Sequence, residues 1–240
     1  MKIHMLMQGK GGVGKSMIAS ILAQYIQSKG HQMLCIDTDP VNKTFHGYSS
    51  LEVMPFRVVK DEEIDPYLFD DLIDIVATSD KVVVIDNGSS IFMPLSHYFY
   101  SNDISELLAD RGHALVIHTV IAGGQALLDT VSGFADLAAL FPLTTTFVVW
   151  LNPFLGPIER GGIAFENMKT YTLLKDRISS IITIPSMKVE TFGRDMREML
   201  DRQQTFADAV ALSSLTIVTR QRLCIIRKKI FDQLDNTFEI

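Results

Sequence analysis

The stretch QGKGGVGKS at residues 8–16 decides the fold of this chain. A mostly apolar run at residues 3–7 precedes it and predicts a buried strand, while residues 17–27 favour a helix. Glycines at this spacing, between a strand and a helix, let successive backbone N–H groups converge on phosphate oxygens. The start of the helix adds the positive end of its dipole. The stretch therefore predicts a phosphate-binding loop.

Two side chains of this loop have separate expected tasks. Lys15 is placed to reach the β- and γ-phosphates of a nucleotide, and the Ser16 hydroxyl is placed to ligate Mg²⁺. The residues expected to cradle the nucleotide are Gly9, Gly11, Gly12, Val13, Gly14, Lys15, Ser16 and Met17. A glycine-rich turn without a ligand is the alternative, and the strand and helix patterns on either side disfavour it.

The composition is that of one soluble domain. The 240 residues are 47% hydrophobic and 21% charged, so we expect a single nucleotide-binding domain over residues 1–240. A net charge of −6 does not favour general nucleic-acid binding, and a direct DNA contact would need a local basic patch or a partner protein. No apolar run is long enough to span a membrane, so we expect no membrane association. Two distant cysteines without metal spacing, and an N-terminus that enters a strand directly, favour a reduced, cytoplasmic protein without a signal peptide.

Apolar segments alternate with helical patterns along the whole chain. Strands are expected near residues 2–8, 32–37, 81–86, 114–120, 145–151 and 180–184, with a short extra strand near 57–59. Helices are expected near residues 15–29, 66–79, 103–110, 124–140 and 164–177, with two or three more after residue 189. This alternation predicts an α/β fold with a doubly wound, mostly parallel sheet flanked by helices. Such sheets bind ligands outside the carboxyl ends of their strands.

Carboxylates fall at two of these expected strand ends. Asp37 and Asp39 lie two residues apart in CIDTDP, residues 35–40, so they project from the same side of an extended segment. One of them can hold Mg²⁺ through water while the other orients or deprotonates the attacking water. The stretch VVVIDNG at residues 82–88 predicts a buried strand that delivers Asp86 beside the metal. For the first pair the alternative is a strand-end turn, where Asp and Pro are common.

The loop with its second lysine, Lys10, resembles the deviant Walker A motif of the MinD/ParA group of P-loop ATPases. The resemblance implies that Lys10 and Lys15 act on the phosphates, with Lys10 reaching across a dimer to the nucleotide of the partner. A solvated loop lysine is the alternative for Lys10. The resemblance also implies that Asp39 activates water and that Ser16, Asp37 and Asp86 surround Mg²⁺.

The same resemblance implies an adenine pocket built by an Asn and a Pro at two later strand ends. These positions are Asn152, in WLNP at residues 150–153, and Pro185, in ITIP at residues 182–185. An amide suits the task because it can both donate and accept on the edge of a purine. An ordinary Asn-Pro turn is the alternative at the first position. The chain departs from the group at residues 41–43 and 87–88, where the switch segments differ.

The chain as a whole resembles conjugal-transfer proteins of conjugative plasmids within this group. The segments that carry this likeness are residues 1–5, 82–90, 116–130, 147–158 and 215–223. The resemblance implies a slow, partner-stimulated ATPase that uses ATP and Mg²⁺ and cycles between an ATP-bound homodimer and an open state. It also implies a protein partner in the conjugation or segregation machinery. Two other classes stay open: an ATP-dependent ligase or small-molecule kinase of a related fold, and a non-hydrolysing nucleotide-binding adaptor.

Two further features are predicted to be structural. The final helix carries one apolar stripe, made of Leu223, Ile226, Ile230 and Leu234. Members of the resembled group can end in a membrane-binding amphipathic helix, but here we expect the stripe to pack on the sheet and the basic face to be solvated. His118 falls late on a strand, where a hydrogen-bonded core position is favoured over a place in the site.

Overall fold

The computed structural model describes residues 1–237, which form eleven strands and nine α-helices. The strands are β1 (Lys2–Leu6), β2 (Met33–Asp37), β3 (Met54–Pro55), β4 (Val59–Lys60), β5 (Glu63–Ile64), β6 (Val82–Asp86), β7 (Ala114–Ala122), β8 (Thr146–Asn152), β9 (Glu159–Arg160), β10 (Ile163–Ala164) and β11 (Ile178–Thr183). The helices are α1 (Lys15–Ser28), α2 (Tyr67–Ala77), α3 (Phe92–Ser101), α4 (Ile104–Asp110), α5 (Leu127–Leu140), α6 (Lys169–Leu174), α7 (Arg194–Asp201), α8 (Phe206–Ala211) and α9 (Ile217–Asp235).

Seven of the strands form one parallel sheet in the order β11-β8-β7-β1-β6-β2-β3. The first strand lies between β7 and β6, so the loop that follows it emerges at the middle of the carboxyl edge of the sheet. The other four strands pair as two short antiparallel hairpins, β4-β5 and β9-β10. The predicted doubly wound α/β fold is confirmed, and the central position of β1 places the glycine loop where such sheets bind ligands.

Helices cover both faces of this sheet and create two apolar layers. One layer joins α1 and α9 to inward side chains such as Val84 and Trp150. The other joins α2, α3 and α5 to side chains such as Ile85 and Phe147. Burial on both faces explains why the sequences of the strands are continuous apolar runs, without strict alternation of apolar and polar residues.

The last helix packs on the sheet as predicted. Its stripe Leu223, Ile226, Ile230 and Leu234 is buried in the layer that also contains α1. The Gln233 side chain accepts a hydrogen bond from the Thr183 N–H (2.8 Å) and donates one to the Thr183 carbonyl (3.0 Å). The helix therefore also covers part of the open edge of β11. None of the helices in the described part of the chain combines the length and apolar character needed to cross a bilayer.

Two segments differ from the sequence-based expectation. Helix α3 was not predicted, although Phe92, Leu95 and Phe99 are buried on one of its faces. The single helix expected near residues 164–177 is instead the second strand of a hairpin, a short helix α6 and flanking 3-10 turns. The extra strand expected near residues 57–59 corresponds to β4 at Val59–Lys60, which pairs with β5 outside the main sheet.

A chain of three polar side chains crosses the sheet core. The Trp150 indole N–H donates to His118 Nδ1 (2.9 Å), and His118 Nε2 lies 2.9 Å from His4 Nδ1. Because an indole can only donate, His118 carries its proton on Nε2 and donates it to His4. Burial lowers the pKa of both imidazoles, and that of His4 falls to about 3. The core position predicted for His118 is confirmed.

The hydrogen-bonded series Trp150–His118–His4 predicts that acid destabilises the fold. The pKa of His4 is lower in the folded than in the unfolded state, so stability is intact above about pH 6.5 and falls as the pH drops towards 3. Each pH unit in this window costs about 1.4 kcal/mol, so one such imidazole removes roughly 2 kcal/mol between pH 7 and 5. We expect His4→Asn, whose amide oxygen can accept from His118, to reduce that loss by about this amount in urea unfolding. Exposed His97→Asn should leave the pH dependence unchanged, and an unchanged loss in His4→Asn would contradict the assignment.

Candidate functional site

The glycine loop links β1 to α1 at the centre of the sheet's carboxyl edge. Gly12 and Gly14 adopt positive φ angles of 73° and 101°, in the left-handed region that favours glycine. A Cβ atom on Gly14 would also lie 3.0 Å from Asn152 Nδ2. Both the backbone conformation and the close approach of β8 therefore require glycine immediately before Lys15.

Lys15 lies inside this loop and is only 8% exposed. Its ammonium donates a hydrogen bond to the Lys10 carbonyl at 3.3 Å. Burial lowers the pKa of Lys15, while the nearby carboxylates of Asp86 and Asp39 raise it. The structure thus brings one buried cation together with two of the predicted acidic residues.

Asp86 ends β6 beneath the loop, and its side chain is almost completely buried. The Ser16 hydroxyl donates a hydrogen bond to this carboxylate, and burial raises the pKa of Asp86 above its usual range. Its Oδ1 atom has no hydrogen-bond partner among residues 1–237. A buried carboxylate oxygen beside a serine hydroxyl fits a hard divalent cation such as Mg²⁺.

No three His, Cys, Asp or Glu side chains within the described residues converge closely enough to hold a metal by themselves. Mg²⁺ usually binds one or two carboxylates together with the phosphates of a nucleotide. Ser16 and Asp86 are the residues that would hold the ion next to the phosphates. They require the nucleotide to complete the coordination.

Asp37 and Asp39 shape the turn after β2. The Asp37 carboxylate accepts hydrogen bonds from the backbone N–H groups of Asp39 (3.0 Å) and His46 (2.8 Å). Burial raises the pKa of Asp37, and these two bonds oppose the shift. The Asp39 carboxylate accepts from the N–H groups of Val41 (2.8 Å) and Asn42 (3.0 Å). Both side chains are therefore held by the backbone, which gives each carboxylate a defined orientation.

Gly88 lets Asp39 approach the end of β6. A Cβ atom on Gly88 would lie 2.9 Å from Asp39 Cγ, so any side chain there would displace the carboxylate. A glycine directly after a strand-end aspartate can let the backbone approach the γ-phosphate of a nucleotide. Here it also makes room for an acidic side chain from the neighbouring strand.

Asn87 and Thr38 are site residues that the sequence reasoning missed. The Asn87 amide donates to the Leu6 carbonyl (3.0 Å) and accepts from the Thr38 hydroxyl (3.0 Å). Thr38 also contacts the Asp86 carbonyl at 3.1 Å. These bonds tie the ends of β1, β2 and β6 together. The sequence did contain a signal for these two positions, since both are polar residues next to a buried aspartate at a strand end.

Asn152 holds the glycine loop in place. Its amide donates to the Val13 carbonyl (2.9 Å) and accepts from the Phe154 N–H (3.2 Å), and the side chain is only 4% exposed. Pro185 lies two residues beyond the end of β11 and is half-buried. Both residues lie at the carboxyl ends of their strands, and contact with adenine stays a prediction for each.

Lys10 forms an ion pair at the surface of the site. Its ammonium lies 2.8 Å from Asp129 Oδ2, on the first turn of α5. The two side chains are 44% and 57% exposed. Lys10 is therefore accessible from outside the loop, unlike the buried Lys15, and its role across a dimer stays a prediction.

Comparison with known proteins agrees with this geometry. Residues 4–220 match the family model described as the CobQ/CobB/MinD/ParA nucleotide binding domain. The chain belongs to this family. The family resemblance drawn from the glycine loop is thereby confirmed.

Two curated relatives of this family member are both Protein TraL from Escherichia coli. One is 58% identical over 234 residues, covering 98% of this chain and 97% of the relative. The other is 56% identical over 235 residues, covering 98% of each. The likeness to conjugal-transfer proteins thus corresponds to similarity over nearly the whole length of TraL.

Two solved structures share the fold at much lower identity. The MinC:MinD cell division protein complex of Aquifex aeolicus matches with a TM-score of 0.53 at 13% identity, over 97% of this chain and 96% of that chain. The MinD cell division protein of Aquifex aeolicus matches with a TM-score of 0.52 at 14% identity, over 97% and 98%. These similarities support the P-loop fold of the family.

The contacts of Asn152 predict a structural effect without any nucleotide. Asn152→Ala leaves the buried Val13 carbonyl and the Phe154 N–H without partners, so we expect the free protein to lose about 1–3 kcal/mol of unfolding free energy. Urea unfolding measures this loss. Asn102→Ala is the matched control, because that exposed amide donates to the Tyr98 carbonyl at the protein surface, and its removal should lower the unfolding free energy by less than about 0.5 kcal/mol. Equal stability of the two variants would show that Asn152 does not hold the loop.

Proposed function

We propose that this protein is an ATP-binding and ATP-hydrolysing switch of the MinD/ParA type. In this proposal it cycles between an ATP-bound homodimer and an open state. The observation that carries it is the meeting of Lys15, Asp86 and Asp39 at the central carboxyl edge of the sheet, with Ser16 on the Asp86 carboxylate. A buried cation, a metal-binding pair and an oriented acid are the parts that phosphoryl transfer to water needs.

Binding of ATP and Mg²⁺ would use groups already in place. The backbone N–H groups of Gly9 and of residues 11–14, with the start of α1, bind the phosphates, and Lys15 neutralises their charge. Ser16 and Asp86 hold Mg²⁺, and Asp37, whose carboxylate is oriented by two backbone N–H groups, is the third proposed residue beside the ion. Asn152 and Pro185 are the proposed contacts of the adenine base.

Hydrolysis would depend on positioning more than on covalent chemistry. The Asp39 carboxylate is fixed by two backbone N–H groups and lies near enough to Lys15 to influence its charge. This arrangement suits a carboxylate that orients a water molecule towards the γ-phosphate. Lys15 and Mg²⁺ would stabilise the charge that develops on the transferred group.

Dimerisation would require Lys10 to exchange partners. In the single chain its ammonium pairs with Asp129, but an ion pair this exposed contributes only about 0–1 kcal/mol. A nucleotide phosphate on a second copy offers more charge in a drier interface, so the lysine can leave Asp129 at little cost.

The biological setting that we propose is accessory to plasmid conjugative transfer or maintenance, in the cytoplasm. Identity of 56–58% to Protein TraL over nearly the full length supports it. A protein of the conjugation or segregation machinery would be the partner that stimulates hydrolysis. Neither DNA nor a membrane is part of the proposed site.

Binding and turnover are separable by two substitutions. Lys15→Ala should lower ATP–Mg²⁺ affinity by about a hundredfold or more, because the phosphates lose their buried cation. Asp39→Ala should bind ATP within about threefold of wild type but hydrolyse it about 10²–10⁴ times more slowly. Calorimetry and phosphate release measure the two effects, with Lys29→Ala at the far end of α1 as control.

Three results would change the proposed function or the proposed role of a residue. Tight ATP binding by Lys15→Ala would reject the site, and unchanged turnover in Asp39→Ala would reject its role with water. Wild-type turnover at background, with candidate partners present, would favour the non-hydrolysing adaptor. Turnover that appears only with an added acid substrate would favour the ligase or kinase.

The two members of the surface ion pair should behave differently. Lys10→Ala should abolish ATP-dependent dimerisation, because the lysine is the group that reaches the partner. Asp129→Asn should retain the dimer and tighten it by no more than about fivefold, since the exposed pair contributes at most about 1 kcal/mol. Sedimentation with and without ATP–Mg²⁺ measures both. A wild-type-like dimer in Lys10→Ala would leave Lys10 as a solvated loop lysine.

A further inference from the structure

Helix α5 carries a glycine at position 133, in its interior and on its buried face. Glycine inside a helix costs about 0.5–1 kcal/mol relative to alanine, so its presence needs a packing reason. A Cβ atom at this position would lie only 2.2 Å from Gln8 Oε1 and 3.1 Å from Gln8 Cδ. Gly133 therefore leaves the space that the Gln8 side chain fills.

Gln8 begins the glycine loop and is almost completely buried. Its amide nitrogen donates to the Thr119 hydroxyl (3.3 Å), the Val120 carbonyl (3.0 Å) and the Thr130 carbonyl (3.0 Å). Two of these acceptors are carbonyls, which fixes the amide with its nitrogen towards β7 and α5 and its oxygen towards the loop. Gln8 is thus a rigid bridge between the loop and the helix.

The oxygen of this amide contacts the residue that distinguishes the loop. Gln8 Oε1 accepts a hydrogen bond from the Lys10 backbone N–H at 3.4 Å. The Lys10 ammonium pairs with Asp129 on the same helix. Helix α5 therefore holds Lys10 at its backbone, through Gln8, and at the end of its side chain.

Glycines flank Lys10 on both sides, so the loop itself imposes little rigidity there. One stretch of α5, with Asp129, Thr130 and Gly133, supplies the partner of the Lys10 ammonium and the space for Gln8, while Thr119 and Val120 on β7 also hold the Gln8 amide. Lys15 is buried near Asp86 and Asp39, and its ammonium meets the Lys10 segment only at the Lys10 carbonyl among the described residues. The side chains of the two lysines therefore have different surroundings, although one hydrogen bond joins them.

We propose that Gln8 is the positioning residue for Lys10, and that α5 sets the place of this lysine through the missing side chain at Gly133. This inference rests on the proposed function in one respect, namely the role of Lys10 in a dimer. The placement of Lys10 is a property of the single chain. A partner that shifts α5 would thereby control dimerisation without changing how Lys15 binds the nucleotide.

Gly133→Ala is the direct test. The new methyl group has to displace Gln8 Oε1, and with it the backbone of Lys10, although alanine favours the helix. We expect ATP–Mg²⁺ affinity to stay within about threefold of wild type, while the ATP-dependent dimer weakens by about tenfold or more. Gln8→Met, which keeps the bulk of the side chain but removes the amide, should likewise retain ATP–Mg²⁺ affinity and weaken the dimer.

The matched control is Gly193→Ala. A Cβ atom there meets nothing closer than 3.6 Å, the Cγ1 atom of Val189, so both measurements should equal those of wild type. Should Gly133→Ala fail to fold, Gln8→Met supplies both measurements.

A second readout reports the position of Lys10 without nucleotide or dimer. A water-soluble carbodiimide activates a carboxylate and joins it to a neighbouring amine as an amide, so wild type should form a Lys10–Asp129 cross-link. The Lys228–Asp232 pair, at 2.7 Å on the exposed side of α9, supplies an internal standard in the same chain. Peptide mass spectrometry should show the Lys10–Asp129 yield reduced by about threefold or more in Gly133→Ala and Gln8→Met, because misplacement by about an ångström already impairs reaction between neighbouring groups.

The outcomes separate the two proposals. Wild-type cross-linking and dimerisation in both variants would overturn the positioning role of Gln8. A parallel loss of ATP affinity and dimer would overturn the separate control of the two lysines. A reduced cross-link in the variants, together with a wild-type protein that never dimerises with ATP, would uphold the placement of Lys10 and reject the proposed switch.

Discussion

A buried ammonium among buried carboxylates is the constraint on which the rest of the site depends. Removing a charged group from water costs several kcal/mol, and the Lys15–Asp86 attraction offsets this only if the remaining polar atoms are satisfied. Neighbouring polar side chains meet that need: Ser16, at the start of α1, bonds Asp86, and Thr38 and Asn87 bond the surrounding backbone. One oxygen of Asp86 has no hydrogen-bond partner among residues 1–237, and a cation is the group that would neutralise it.

The parallel sheet explains why so much of this site could be predicted from the sequence. Parallel strands bring their carboxyl ends to one edge, so Asp37 and Asp86 had to lie near the loop after β1 once the strands were recognised. Helix α3 was not predicted, even though Phe92, Leu95 and Phe99 follow helical spacing and are buried on one face of the helix. The helix expected near residues 164–177 was too long, since a hairpin that turns at Gly161 and Gly162 extends to Ala164 and two 3-10 turns flank the short α6.

Contacts between elements distant in the sequence were beyond prediction. The bond from Asn152 to the Val13 carbonyl depends on how far β8 extends beyond the loop. The fit of Gln8 against Gly133 depends on the depth at which α5 packs on β7. Asn152 illustrates the limit well: an amide offers two donors and two acceptor sites, and this one uses one of each inside the protein. A remaining donor and acceptor are compatible with adenine, so holding the loop and reading the base are not exclusive.

The two anchors of the loop give its two lysines different mechanical supports. Asn152 fixes the carbonyl of Val13, two residues before Lys15, to the end of a central strand. Gln8 fixes the N–H of Lys10 to both β7 and α5, and the Lys10 ammonium pairs with Asp129 on the first turn of that helix. A strand inside a seven-stranded sheet cannot move without breaking hydrogen bonds on both sides, whereas a helix can slide on an apolar layer at lower cost. The loop next to Lys15 is thereby attached to a strand inside the sheet, whereas the ammonium of the exposed lysine is attached to a helix, the element that can move at lower cost.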